Sequence, residues 1–138
     1  MKYLALYVFL LVLACEKKEP DLVLGRYQVI DAEYSKHQYQ IEREFQAGSD
    51  LYEQHWLNNC LIIDIAGQWT RKGNTLNLQY ARQRTRDNCK DSLSAWDTLH
   101  TELKIPIRTV DAISFESYLP PAPSASEKWL RWQLKKLP

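Results

Sequence analysis

An excess of charge of either sign is what this chain lacks: 18 lysines and arginines stand against 17 aspartates and glutamates. Without a basic surplus it cannot neutralise a run of phosphates, which excludes nucleic acid as a partner. Histidine is scarce and scattered, as His37, His55 and His100. No H-E-x-x-H, G-x-S-x-G, G-x-x-x-x-G-K or C-x-x-C occurs, so the common zinc, acyl-transfer and phosphate-binding chemistries have no foothold. Carboxylates are plentiful, yet a pair such as Glu53 with Asp64 reads as ordinary strand chemistry rather than as an acid and base. The chain is therefore read as non-enzymatic, with no metal and no cofactor. Long apolar runs are also missing after the first fifteen residues, and that one run decides the address.

Lys2 precedes Tyr3-Leu4-Ala5-Leu6-Tyr7-Val8-Phe9-Leu10-Leu11, followed by Val12-Leu13-Ala14-Cys15 and the charged Glu16-Lys17-Lys18-Glu19. The apolar run is too short for a stop-transfer span and has the anatomy of an export signal helix. Its end resembles the lipobox of bacterial lipoproteins, where a small residue precedes the cysteine that is lipidated and becomes the mature N-terminus. The resemblance implies residues 1–14 as signal peptide, Cys15 as the acylated anchor in a membrane, and 15–23 as tether. Glu16 through Leu22 reaches about 20 to 25 Å when extended. By analogy with sorting rules, Glu16 after the cysteine implies the outer membrane, facing the periplasm. Removing 1–14 takes away Lys2 and no acid, leaving 17 charges of each sign. Residues 24–138 suffice for one domain.

Cysteine is the next scarcity. With Cys15 acylated, Cys60 and Cys89 remain in an oxidising compartment and are expected to pair, the alternative being two free buried thiols. From Leu24 onward the pattern alternates with a period of two and is rich in aromatic and β-branched residues. Strands are predicted over Gly25 to Tyr34, Gln38 to Gln46, Leu51 to Leu57, Cys60 to Ala66, Gln68 to Arg71, Thr75 to Arg84, Glu102 to Thr109 and Ala112 to Leu119. Gly73-Asn74 supplies the positive φ values of a two-residue hairpin turn, and Val110-Asp111 a second tight turn. Asp91 to Leu99 fits a short helix or a covering loop. Pro120 to Ser126 reads as a stiff loop. The C-terminal run from Glu127 to Leu137 favours a closing strand, with Leu130, Trp132 and Leu134 alternating, over a helix capped by Ser124 and Glu127. The fold class is all-β: a small antiparallel up-and-down barrel of about eight strands.

Leu24-Gly25-Arg26-Tyr27, Gly67-Gln68-Trp69 with Gly73-Asn74-Thr75-Leu76, and Ile113-Ser114-Phe115 resemble the small lipocalin-like domains of bacterial lipoproteins. The resemblance implies a barrel with an internal cavity, and the residues expected to line it are Tyr39, Phe45, Leu78 and Phe115. Arg82, Arg84 and Arg86 continue the face of Leu76, Leu78 and Tyr80 if the strand runs straight. They would then offer three guanidinium forks to an anionic group at the barrel mouth, unless a bulge turns them outward. Arg43, between Ile41 and Phe45, is a further binding candidate or one half of a buried pair with Glu53 or Asp64. Trp56, Trp69, Trp96, Trp129 and Trp132 read as core and rim, with Trp129 and Trp132 among cations that suit lipid headgroups. Two functions follow: a monomeric, membrane-anchored binder of a small hydrophobic or amphipathic ligand, or an inhibitor or immunity factor presenting the loop Arg84 to Trp96. Cys15→Ser should abolish fatty-acid labelling and membrane retention; a labelled, membrane-bound variant would overturn the anchor.

Overall fold

The computed structural model describes residues 24–119 and 128–135, so the signal, Cys15, the tether, the proline-rich loop and the last three residues lie outside it. Eight strands close into an antiparallel barrel in which each strand pairs with its sequence neighbours and the last pairs with the first. They are β1 (Gly25–Ile30), β2 (Tyr39–Phe45), β3 (Asp50–Leu57), β4 (Cys60–Lys72), β5 (Thr75–Thr85), β6 (Asp97–Asp111), β7 (Ser114–Leu119) and β8 (Lys128–Leu134). The all-β, up-and-down barrel expected from the alternation is thus the observed fold, and the C-terminal segment is a strand. No helix among the described residues is long and apolar enough to cross a membrane.

Four boundaries differ from the sequence expectation, one of them the β6–β7 turn, which is Ala112-Ile113 and not Val110-Asp111 because β6 runs on through Asp111. β1 stops at Ile30 because Asp31 caps a one-turn helix, α1 (Ala32–Lys36), its Oδ1 accepting the amides of Glu33 and Tyr34 at 3.0 and 3.2 Å. Aspartate at the cap and Glu33 in the first turn favour that turn over continued strand. The two segments expected over 60–66 and 68–71 are one strand. Gly67 does not interrupt β4, and instead stands where β5 approaches so closely that a Cβ would lie 2.0 Å from the Gln79 carbonyl oxygen. Finally, Asp91 to Leu99 forms no helix: β6 begins at Asp97 and pairs with β5 as far as Pro106. Pro106 is tolerated within it because the neighbouring Ile107 amide points toward β5, donating to Asn74 at 2.8 Å, so the proline nitrogen faces the other side, where pairing with β7 starts only at Ile107.

Beside Gly67 the ladder slips. Gly67 pairs with Tyr80 but Ala66 with Arg82, leaving Ala81 as an extra residue, and the β5–β6 register shifts at the same place. Leu76, Leu78 and Tyr80 face the interior before the slip; Gln83, opposite the core residue Ile65, faces it afterwards. The β4–β5 turn has positive φ at Gly73 alone, while β3 and β4 are joined by Asn58 and Asn59, both at positive φ. Cys60 and Cys89 form the expected disulfide, tying the β3–β4 turn to the β5–β6 loop. Closing a loop of that span stabilises by about 3 kcal/mol in the chain-entropy model.

Replacing Gly67 by alanine forces two backbones apart, and should cost about 3 kcal/mol in denaturant unfolding, at the upper end of overpacking penalties. A midpoint unchanged from the parent would show that the slip relaxes freely.

Candidate functional site

A ligand-binding barrel needs space in its interior. Phe45, Leu78 and Phe115 are each 0 % exposed. Tyr27 packs edge-on against Phe45 at 5.8 Å and Phe115 at 5.1 Å, Phe45 against Trp69 at 5.2 Å, and Phe115 stacks on Trp132 at 6.0 Å. Three of the four residues expected to line a cavity therefore fill one another's space. Tyr39, the fourth, lies half-buried beneath α1, edge-on to Tyr34.

Above this apolar layer the interior is polar. β2 and β3 pair Arg43 with Glu53, so both side chains enter the barrel at one level. The Arg43 Nε and Nη2 donate to Glu53 Oε2 at 2.8 and 2.7 Å, and the Tyr80 hydroxyl donates to the same oxygen at 2.5 Å. The other oxygen, Oε1, lies 2.7 Å from His55 Nε2, whose Nδ1 is bonded to the Tyr39 hydroxyl. An ionised carboxylate only accepts, so Nε2 donates to it. Arg43 also lies 4.4 Å from the Trp132 ring, and its Nη1 is buried without a hydrogen-bond partner. Burial alone would push the Glu53 carboxyl up, but the Arg43 charge and the bonds from His55 and Tyr80 outweigh it and hold the group at about 2. Burial beside that carboxylate pushes the Tyr80 phenol well above its ordinary value. Arg43 is thus half of a buried pair with Glu53; Asp64 belongs to a different face.

The register slip decides where the other arginines go. Arg82 and Arg84 stand opposite Ala66 and Asp64, on the set of positions that faces outward, so the straight-strand expectation is corrected: the arginines do not continue the inward face of Leu76 and Leu78. The Arg84 Nε and Nη2 donate to Asp64 Oδ2 at 2.9 and 2.8 Å. Arg86 donates to the Leu61 and Asp91 carbonyls at 2.5 and 3.3 Å, which anchors the loop rather than offering a free fork. Arg82 and Arg84 each lie 4.7 Å from the ring of Trp96, which is 38 % exposed. The Arg82 side chain makes no hydrogen bond or ion pair among the described residues. It is a guanidinium positioned by a ring face with its donors unspent.

The loop 86–96 that carries Trp96 is held by the disulfide, by Arg86, and by Ser94, whose amide donates to the Thr85 carbonyl at 2.8 Å while its Oγ accepts the Thr85 amide at 3.0 Å. Below it an outer trough of about 600 Å³ crosses β3 to β6, floored by Ala66, Gly67 and Ala81 and rimmed by Tyr52, Arg82 and Glu102. Sequence reasoning missed both Trp96 as the partner of the arginines and the trough, since each depends on the slip. Trp129 packs on Tyr118 and Arg108, and Trp132 is core, so these two do not form a paired surface patch. Among the described residues no three His, Cys, Asp or Glu side chains are grouped to hold a metal ion. Comparison with protein-family models, curated proteins and solved structures finds no match to this chain.

Glu53→Gln leaves Arg43 buried without a countercharge and should cost about 3 to 5 kcal/mol at neutral pH. Because the Glu53 value is depressed from 4.5 to about 2, its contribution is complete above 4.5 and is lost as pH falls toward 2. The stability gap between parent and variant, read from urea midpoints, should therefore narrow between pH 5 and 2. A gap independent of pH would refute the assignment.

Proposed function

We propose that this protein is a non-catalytic, lipid-anchored lipoprotein of the bacterial envelope whose barrel is a rigid scaffold for binding another protein, in the manner of an inhibitor or immunity factor. The observation that carries this reading is the filled interior: with Phe45, Leu78 and Phe115 at 0 % exposure, the barrel holds its own side chains where a small ligand would sit. Function then falls to the outside. The recognition element is the stapled loop 86–96 with Arg82, Arg84 and Trp96. Tryptophan and arginine are the residue types that dominate binding energy at interfaces, and a loop already fixed by a disulfide loses little freedom on docking. Arg82, charged and unpaired, favours a carboxylate on the partner.

Strand direction supports the same reading. The expected tether enters at Leu24, at one end of the barrel, whereas the β5–β6 loop lies at the other, turned away from an anchoring membrane. A second reading, capture of a small amphipathic ligand, draws on the outer trough rather than on the interior.

Crosslinking of the anchored protein in envelope preparations, followed by identification of what is captured, should recover a discrete protein partner. Arg82→Gln combined with Trp96→Ala should weaken that complex by about 2 kcal/mol, about thirtyfold in Kd, with little change in melting temperature. Native mass spectrometry that instead finds a stoichiometric small molecule and no protein would favour the second reading.

A further inference from the structure

The end of the barrel where the chain enters β1 carries its own surface. Leu24 is 47 % exposed there, the end of β6 presents Val110 at 44 %, and the turn that follows it presents Ile113 at 41 %. These positions are contiguous: the Ile113 carbonyl accepts the Leu134 amide at 2.7 Å, and the Lys135 amide donates to the Arg26 carbonyl at 2.8 Å, so the turn, the end of β8 and the start of β1 lie side by side. The carboxylates on this arc are neutralised. Glu42 is bonded by Lys135 at 2.6 Å and Arg26 at 3.3 Å, Glu44 by Arg26 at 2.8 Å, and Asp111 accepts the Ile113 amide at 2.9 Å with Arg131 at 3.9 Å. Asp50, at the start of β3, is at the same end two strands from β1, beyond the pairs formed by Glu42 and Glu44. Three exposed aliphatic side chains beside compensated charge are poorly matched to water and well matched to a headgroup boundary.

We propose that this end docks on the lipid surface, with Leu24, Val110 and Ile113 in the boundary between headgroups and acyl chains. The inference rests on the lipid-anchor reading: a tether from Cys15 to Val23 spans about 30 Å at most and joins the barrel at Leu24, so the nearest protein surface to the bilayer is this one. The docking holds the loop 86–96 outward and limits the tilt of the barrel, which the tether alone does not.

The full lipidated chain, reconstituted in phosphatidylethanolamine and phosphatidylglycerol vesicles, is compared with Val110→Glu combined with Ile113→Glu by hydrogen exchange, corrected for intrinsic rates. Both positions are exposed, so the double variant should melt with the parent. Amides of residues 110–114 should exchange several-fold more slowly in the parent than in the variant, while those of 86–96 exchange equally in both. Equal exchange at the turn in a chain that carries fatty-acid label and floats with vesicles overturns the docking and leaves the anchor standing. A chain with neither label nor flotation overturns the anchor and the docking together. Protection of the turn in lipid-free detergent that rises with protein concentration assigns the surface to a second copy and also overturns the proposal.

Discussion

A charge pair in the middle of the barrel sets the terms for everything around it. Arg43 and Glu53 are taken out of water, and their attraction offsets the desolvation only with good geometry and with nearly all of the remaining donors and acceptors engaged. Tyr80 and His55 complete the carboxylate, Tyr39 completes His55, and the face of Trp132 lies against the guanidinium. Water admitted to a central cavity would weaken each of these contacts by raising the local dielectric. The pair therefore goes with a filled barrel, and the aromatic layer of Tyr27, Phe45, Phe115 and Trp132 closes it from the other side. One buried Nη1 is left unpaired, an indication of how little slack the arrangement has.

What could be read from the sequence follows from where each signal sits. Alternation along a single strand is local, and it marks nearly every strand and the closing one. Cysteine count is global and simple, so the Cys60–Cys89 bond was legible too. Arg43 was ambiguous, because its position between Ile41 and Phe45 fixes that it points inward but not what meets it. The cap at Asp31 was present in the letters, Asp-Ala-Glu, yet was masked by the alternation that precedes it. The slip at Ala81 was not legible at all from β5, which has neither glycine nor proline there. Its marker is Gly67 on the adjacent strand, and its cause is a backbone approach across the ladder. A one-residue slip exchanges faces, so this single feature moved Arg82 and Arg84 from the expected inner rim to the outer wall.

Once on the outer wall, those side chains meet a loop that is ordered without a hydrophobic core of its own. Residues 86–96 are fixed by a covalent bond, by Arg86 reaching carbonyls of two different segments, and by Asn88, which bonds Asp91 and Lys90. Such a loop is polar enough to remain at the surface and stiff enough to present Trp96 in one orientation. The barrel beneath supplies the rigidity; the loop supplies the variation.

The seam between β1 and β8 has a consequence for how the molecule is made. Tyr27 stands against Leu134, and Val29 against Trp132, so the first strand finds its partner in nearly the last residues of the chain. A polypeptide appears from its N-terminus, and until β8 follows, β1 has one bare edge and β7 another, each a template for pairing with a neighbouring chain. Trp132 arrives with β8 and covers Arg43, which means that the buried charge is sealed only once that strand is in place. A chain cut short before Lys128 would retain most of its strands yet lose closure and the lid over its central cation together, and would be expected to aggregate rather than persist as a smaller domain.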